Sequence, residues 1–451
     1  MLEKKRVAKD VINIAWPVFV ELMLGSLFGM VNMMMIGRIA DPQYSSSAVA
    51  AIGLSNQPLF LAVSLVQALN VGSTAIISRY YGANKIHLIE NVLKHVMILS
   101  VLCFIIPLAA LGFVFAPNLL ASLGGQAYTV EIGVPYFRLM MLAFVFQGIM
   151  LTISAALRGV GETKIPMRNN VIANIINVCL NSVLIYGSFG LPALGLIGTG
   201  IATVIANFVS ATLMFGYLIR KKSKITFSFK DKFHFDTNTI VQLFKLGFPS
   251  AMEQLLFRAG AMLFTVIVSN LGTSVYAAHQ IGLNLWTLSI APSQAFGIAA
   301  STLTGKYLGS NQRDLAKMYS TIIRYMALLV SIVMAGVFYF FGQLIASGYS
   351  SSIDVIEQVV IVLPILALIQ PFLAEQIVLA GSLRGAGDTI WPMIATIIGV
   401  FVVRTVLAHI FVNEMGMGII GAWWALLANQ LTSSIIVWIR YRSGKWQYVK
   451  I

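Results

Sequence analysis

The sequence predicts an all-α polytopic membrane protein with twelve transmembrane helices, built as two homologous six-helix lobes. Three observations predict it. Apolar runs of spanning length recur along the whole chain, the second half repeats the motifs of the first, and basic residues crowd into alternate loops.

Composition identifies the solvent. Hydrophobic residues make up 58% of the 451 residues and charged residues 10%, against about 25% charged in an ordinary soluble domain. The mean hydropathy is +0.85. Most apolar runs cover about 20 to 28 residues, enough to cross ~30 Å of hydrocarbon as helices. They lack the short alternation of barrel strands. In order, the runs are 11–36, 50–77, 92–115, 133–156, 166–187, 194–219, 240–269, 276–304, 319–346, 355–381, 392–412 and 418–440. The longest polar stretch, Arg220 to Asp236, falls between the sixth and seventh. It marks an N-terminal lobe at 1–219, a cytoplasmic linker at 220–239 and a C-terminal lobe at 240–451.

The repeat is visible at three places. Ala156-Leu157-Arg158-Gly159-Val160-Gly161-Glu162-Thr163-Lys164-Ile165-Pro166-Met167 answers Ser382-Leu383-Arg384-Gly385-Ala386-Gly387-Asp388-Thr389-Ile390-Trp391-Pro392-Met393. Pro17 and Glu21 in the first run answer Pro249 and Glu253 in the seventh. Tyr80-Tyr81-Gly82-Ala83-Asn84 answers Tyr307-Leu308-Gly309-Ser310-Asn311. Large repeats in a very hydrophobic chain are characteristic of secondary transporters.

The net charge of +14 raises nucleic acid as a partner, but its distribution argues against it. Lysine and arginine gather at the N-terminus, in alternate loops and at the C-terminus. The loops around 116–130, 188–193, 270–275, 347–353 and 413–417 contain none. This positive-inside pattern places both termini in the cytoplasm and the chain in the cytoplasmic membrane. The first run is too long for a cleaved signal peptide and lacks a small-residue cleavage site. Cys103 and Cys179 fall inside spans, so they form neither a disulfide framework nor a metal site. No GxxxxGK[ST] loop, HExxH zinc motif or GxSxG elbow is present, which excludes ATP-driven transport and argues against an intramembrane enzyme. No organic cofactor is expected; the energy source is an ion or substrate gradient.

Ionisable groups inside a span are costly and mark functional candidates. Glu21, Glu253 and Glu375 are the carboxylates, with Arg138, Arg258, Arg404 and His409 as basic groups. A buried carboxylate with no fixed positive partner takes up a proton near neutral pH, and with oxygen neighbours it holds sodium instead. Both uses stay open, including sodium at Glu253. So does an architectural one, since Glu21 and Glu253 each follow a proline by four residues and are placed to bond backbone groups freed by a kink. Arg404 reads as a structural partner for a carboxylate or as a substrate contact, and His409 as interfacial.

Asn170, Asn174, Asn177 and Asn181 share one face of the fifth span at three- and four-residue spacing. Asn32 and Asn207 are placed to meet them. The amides either knit the lobe together, at about 0.6 kcal/mol per bond, or line a polar substrate cavity. Met30, Met33, Met34 and Met35 read as apolar filler or as soft contacts for varied shapes.

The doubled LRGxG-[ED]-T-x-x-P-M signature resembles the multidrug and toxic compound extrusion (MATE) family. Pro17, Glu21, Asn32 and Ile36-Gly37-Arg38 in the first span, and Ala277-Ala278-His279-Gln280-Ile281 in the eighth, carry the same resemblance across essentially the whole chain. It implies two six-helix lobes in a V. It also implies antiport of amphiphilic, often cationic compounds against protons or sodium. Glu253 matches the family's seventh-span glutamate, often a cation-coupling residue. Where many members carry a tenth-span aspartate this chain has Leu373, with Glu375 two residues on; where many carry aspartates in the N-terminal lobe it has Asn32 and Asn181. Coupling is therefore expected at Glu253, with Glu375 and with Glu21 as the N-lobe carboxylate. Asn32, Asn174, Asn177, Asn181 and Arg404 are expected at the substrate cavity. Small amphiphilic molecules and membrane lipids are the expected partners, and one chain reads as a self-sufficient monomer. The competing reading is a flippase for lipid-linked oligosaccharides or a dedicated metabolite exporter of the same superfamily. The few intramembrane arginines argue against a pyrophosphate-binding flippase cavity. An ion channel lacks support, since no repeated pore-lining segment is evident.

Overall fold

The computed structural model describes residues 2–190, 192–220, 223–225, 227, 233–349 and 352–450. Linker residues 221, 222, 226 and 228–232 lie outside them. The first half contains α1 (Leu2–Gly37), α2 (Pro42–Gly82), α3 (Ile86–Val114), α4 (Ala127–Gly159), α5 (Lys164–Tyr186) and α6 (Gly195–Ile219). The second contains α7 (Thr237–Ser269), α8 (Thr273–Gly309), α9 (Arg313–Phe340), α10 (Ile353–Gly385), α11 (Ile390–Glu414) and α12 (Gly418–Arg442). No strand occurs among the described residues. This is the all-α, six-plus-six arrangement of the sequence analysis.

Among the described residues eleven helices are long and apolar enough to cross a membrane. The twelfth long helix, α8, falls short because His279, Gln280, Asn284, Ser289 and Ser293 dilute its apolar content. Several of these groups are used internally. Ser289 accepts a hydrogen bond from Gln370 of α10 at 3.1 Å, and His279 is fully buried. Helices also outrun their apolar runs, as with α2, read at 50–77 and observed over 41 residues. Hydropathy marks the hydrocarbon crossing, whereas the backbone stays helical into the interface. The run at 319–346 ends as helix at Phe340, and a separate short helix follows at Gly342–Tyr349.

Among the described residues two of the long helices depart from α geometry. In α3 a π-helical stretch, Ser100–Ile105, is followed by Ile106 and then Pro107, which lacks an N–H and releases the carbonyl four residues back. In α11 the stretches Ile397–Arg404 and Ile410–Glu414 are π-helical. There Ser433 of α12 donates to the Ala395 carbonyl at 3.1 Å, entering the helix's own ladder.

The spanning helices are apolar outward and finer-grained inward. Along α9 the exposed side chains include Tyr325, Leu329, Ile332 and Val333, while small Ala316, Ser320, Ala327 and Ser331 are buried together with the larger Tyr319, Ile323 and Phe338. With lipid as solvent, large apolar groups gain nothing by burial, and small ones let helices approach.

Contacts divide the chain into two compact units: residues 1–19, 74–84 and 245–451, and residues 20–73 with 85–244. The first unit is centred on Phe264, Trp286, Leu363, Leu366 and Trp423. In the same unit the ends of α2 and α8 cross at glycines. A Cβ on Gly82 would lie 1.8 Å from the Lys306 carbonyl oxygen, and one on Gly309 2.1 Å from that of Arg79. Arg79 then donates to the carbonyls of Ala386 (3.1 Å) and Val449 (2.8 Å). Both helices end through an asparagine at positive φ, Asn84 at 57° and Asn311 at 59°. In the second unit, Leu59, Val66, Ile105, Phe137 and Phe144 form a core under α2, α3 and α4.

Gly82→Ala should lower stability by about 1 to 3 kcal/mol, the usual cost of overpacking, because the obstructing atom is backbone. Gly25→Ala, with nothing within 4 Å of the new Cβ, should be neutral. Thermal unfolding of the two variants in detergent checks this; equal melting temperatures would refute the close crossing.

Candidate functional site

The site is organised by the turn that the repeated motif makes after α4 and after α10. In each copy the second glycine is left-handed, Gly161 at φ 80° and Gly387 at φ 82°. The following acid returns its N–H to the helix: Glu162 to the Leu157 carbonyl and Asp388 to the Leu383 carbonyl, both at 2.8 Å. This is a glycine-terminated helix end. The next helix begins at once, and Pro166 and Pro392 occupy its first turn, where an N–H would have no intrahelical partner.

The turn presents an arginine at the end of the preceding helix, and both copies use it alike. Arg158 Nη2 donates to Glu21 Oε1 at 2.8 Å. Arg384 Nη2 donates to Glu253 Oε1 at 2.5 Å. Asn170 of α5 also donates to Glu21 Oε1, at 2.6 Å. Both glutamates are buried. Glu21 Oε2 is buried with no hydrogen-bond partner.

The motif's acid ties the exit of the last helix in its half. Glu162 accepts from Ser223 Oγ at 2.5 Å and from the Lys224 N–H at 3.0 Å, just beyond α6. Asp388 pairs with Arg440, in the last turn of α12, at 2.6 Å. Burial raises the Asp388 carboxyl above its ordinary value even though Arg440 pulls it down.

Glu375, on α10, pairs with Arg324 of α9 at 2.7 Å. Among the described residues no salt bridge links the Glu375–Arg324 pair to the Glu253–Arg384 pair. Leu373, at the tenth-span aspartate position implied by the resemblance, lies in the apolar core. Each of the three intramembrane carboxylates therefore has an arginine partner. The sequence analysis offered Arg404 as the structural partner of a carboxylate, whereas the partners are Arg158, Arg384 and Arg324. Its missed residues are Arg158, Arg384 and Arg324; for the first two the signal was present, since a repeated arginine and a repeated glutamate in register are natural partners.

The amides close on one another. Asn32 donates to Asn177 Oδ1 at 2.8 Å, and Asn181 donates to Asn32 Oδ1 at 2.9 Å and to Asn177 Oδ1 at 3.1 Å. Asn177 donates to Thr203 Oγ1 of α6 at 3.1 Å. Asn174 is half-buried on the same helix. Arg404 is 1% exposed, with its guanidinium 3.9 Å from the Phe264 ring centroid and no carboxylate paired to it among the described residues.

Residues 17–183 and 249–410 match the MatE family model. The two matched stretches start at Pro17 and Pro249, the repeat's own starting points. The chain belongs to the MatE family. It is a membrane transporter of the multidrug efflux family and not an enzyme. It is 28% identical to a probable multidrug resistance protein NorM of Thermotoga maritima, over 99% of this chain and 94% of the relative. It is 26% identical to the uncharacterized transporter YisQ of Bacillus subtilis, over 96% and 94%. Among solved structures, an outward-facing multidrug resistance MATE transporter of the MOP superfamily superposes with TM-score 0.89 at 19% identity, covering 98% of this chain and 97% of that one. A MOP superfamily transporter from Pyrococcus furiosus superposes with TM-score 0.90, also at 19% identity and with 98% and 97% coverage. These likenesses place the MatE chain in the twelve-helix fold.

A double-mutant cycle tests the arginine pairs of this MatE transporter. Arg158→Gln alone leaves Glu21 buried beside a neutral amide and should cost about 3 kcal/mol. Adding Glu21→Gln should recover a large part of that cost, measured as the shift in unfolding midpoint in detergent. Strictly additive losses would show that the pair is not coupled.

Proposed function

We propose that this chain is a cation-coupled antiporter. It exports amphiphilic, often cationic compounds across the cytoplasmic membrane by alternating access, with both termini in the cytoplasm. The carrying observation is the equivalence of the two halves at their buried carboxylates. Glu21 and Glu253 each follow a helix proline, and each is held by the arginine of its own motif copy. The basic loops on one side of the chain support the orientation. The names of several relatives, as multidrug resistance proteins, support small-molecule export.

Such pairs suit coupling because they have two arrangements. While the arginine holds the carboxylate, the helices it bridges are tied together. A proton arriving at the carboxylate removes the charge that holds the arginine, so protonation and separation of the helices favour each other. Sodium acts on the same oxygens by competing with the guanidinium. Glu253 is the primary coupling residue in this reading, with Glu375 and its partner Arg324 as a second pair in the same half. Glu21 is the carboxylate of the other half, and its buried, unpartnered Oε2 is an oxygen free to take the ion. Asn32 and Asn174, both half-buried, supply neutral polar surface toward substrate, with the buried Asn177 and Asn181 hydrogen-bonded to Asn32.

The test is ethidium efflux from proteoliposomes of the purified protein, with proton and sodium gradients imposed separately. One gradient should drive efflux, and Glu253→Gln should reduce it at least tenfold with the fold intact. Coupled efflux that survives Glu253→Gln removes the assignment of Glu253. No efflux under either gradient from folded wild type favours a lipid-linked oligosaccharide flippase or metabolite exporter.

A further inference from the structure

The second half buries a cation that the antiport reading does not use. Arg404 stands at the end of the π-helical stretch Ile397–Arg404 of α11 and is 1% exposed. Its Nε and Nη1 have no hydrogen-bond partner. One face of the Phe264 ring of α7 takes the guanidinium, 3.9 Å from the centroid. That contact uses the cation's π-face and leaves its Nε and Nη1 N–H groups unspent. The His279 ring of α8 lies 5.5 Å from the same phenylalanine, and the Trp423 indole of α12 lies 5.9 Å from His279. Three helices, α11, α8 and α12, thus bring polar side chains to one buried cluster around Phe264. Both ring nitrogens of His279 and Nε1 of Trp423 are buried without partners. Two turns along α8, Trp286 Nε1 is unpartnered as well. Gly282, between the two on α8, permits the approach, because a Cβ there would lie 2.4 Å from Trp423 Cζ2.

The inventory is lopsided. Guanidinium and indole nitrogens only donate, and a neutral imidazole adds one donor and a single acceptor. An uncompensated charge set against the apolar core that contains Phe264, Val268, Ala408 and Ala422 is among the costliest arrangements a protein can hold. The missing complement is a negative acceptor. We propose that Arg404, His279 and Trp423 form a binding site for a small monovalent anion inside the second half, taking a halide or a carboxylate group. The apolar walls disfavour a multivalent anion, whose desolvation costs more. The chemistry has two sources, an inorganic anion of the medium or the carboxylate of an organic compound, and the two separate by experiment.

The full-length protein in detergent is titrated with chloride, and separately with acetate, into sulfate buffer at constant ionic strength. Melting temperature and tryptophan fluorescence are followed. A saturable response to one of the two anions is expected, chloride marking the inorganic source and acetate the carboxylate. Arg404→Met should abolish it, and Trp423→Phe should weaken the apparent affinity severalfold. No saturable response in wild type means that water alone meets these N–H groups, which overturns the site. A response that both variants retain is a general salt effect and overturns it too. If Arg404→Met does not fold, Trp423→Phe decides: an unchanged affinity overturns the proposal. No transport is measured, so failure here leaves the antiport reading untouched.

Discussion

A carboxylate carried into hydrocarbon has to be neutralised where it stands, and that constraint organises both halves of this chain. Glu21 and Glu253 are matched by arginines placed at the far end of a long helix, where a left-handed glycine turns the chain. The arginine's position is favourable twice. It meets a buried anion, and it stands at a helix C-terminus, where the exposed carbonyls favour positive charge. The rest of the motif follows from that turn. The acid after the glycine holds the exit of the half's last helix, and the proline fixes the start of the next helix at a position that needs no N–H. Twelve residues of sequence thereby bind the first, fourth and sixth helices of each half. Strong apolar packing has no equivalent role, because lipid competes with it on equal terms.

The number and approximate position of the helices were legible because a spanning helix has little freedom. It must be about 20 residues long and nearly free of charge. The helix ends were less legible, as α2 shows, since nothing in hydropathy stops a helix that leaves the hydrocarbon. The polar helix α8 was readable as a span through its place in the repeat and its apolar run, although its composition alone is marginal. The π-helical stretch in α11 had no local signal. It depends on a serine of α12 bonding to an α11 carbonyl, a contact invisible before the helices are packed.

The site was legible by residue and not by pairing. Glu21, Glu253 and Glu375 stood out as charges in apolar runs, yet their partners lie 137, 131 and 51 residues away. Sequence distance conceals such pairs, but symmetry does not. The glutamate and the arginine recur in register in both halves, so a contact in one half implies its counterpart in the other. Arg324 has no counterpart of that kind, and neither periodicity nor spacing connects it to Glu375. The four amides were correctly placed on one face of α5. What their spacing could not reveal is that three of the six asparagines considered, Asn32, Asn177 and Asn181, hydrogen-bond to one another.

The two halves share a frame and differ in what they enclose. The first holds the amide triad, which contains no formal charge to gain or lose. The second holds Glu375 with Arg324 and, apart from them, the unpartnered Arg404. A device that works by differential affinity needs an element whose two arrangements differ in free energy when an ion binds. A neutral amide network answers weakly to a cation, since taking one up breaks several hydrogen bonds and supplies no counter-charge. An ion pair answers strongly, because neutralising one member releases the other. The physical asymmetry therefore favours the second half as the seat of coupling, and it makes Glu21, the charged exception in the first half, the residue whose role most needs to be distinguished from that of a brace.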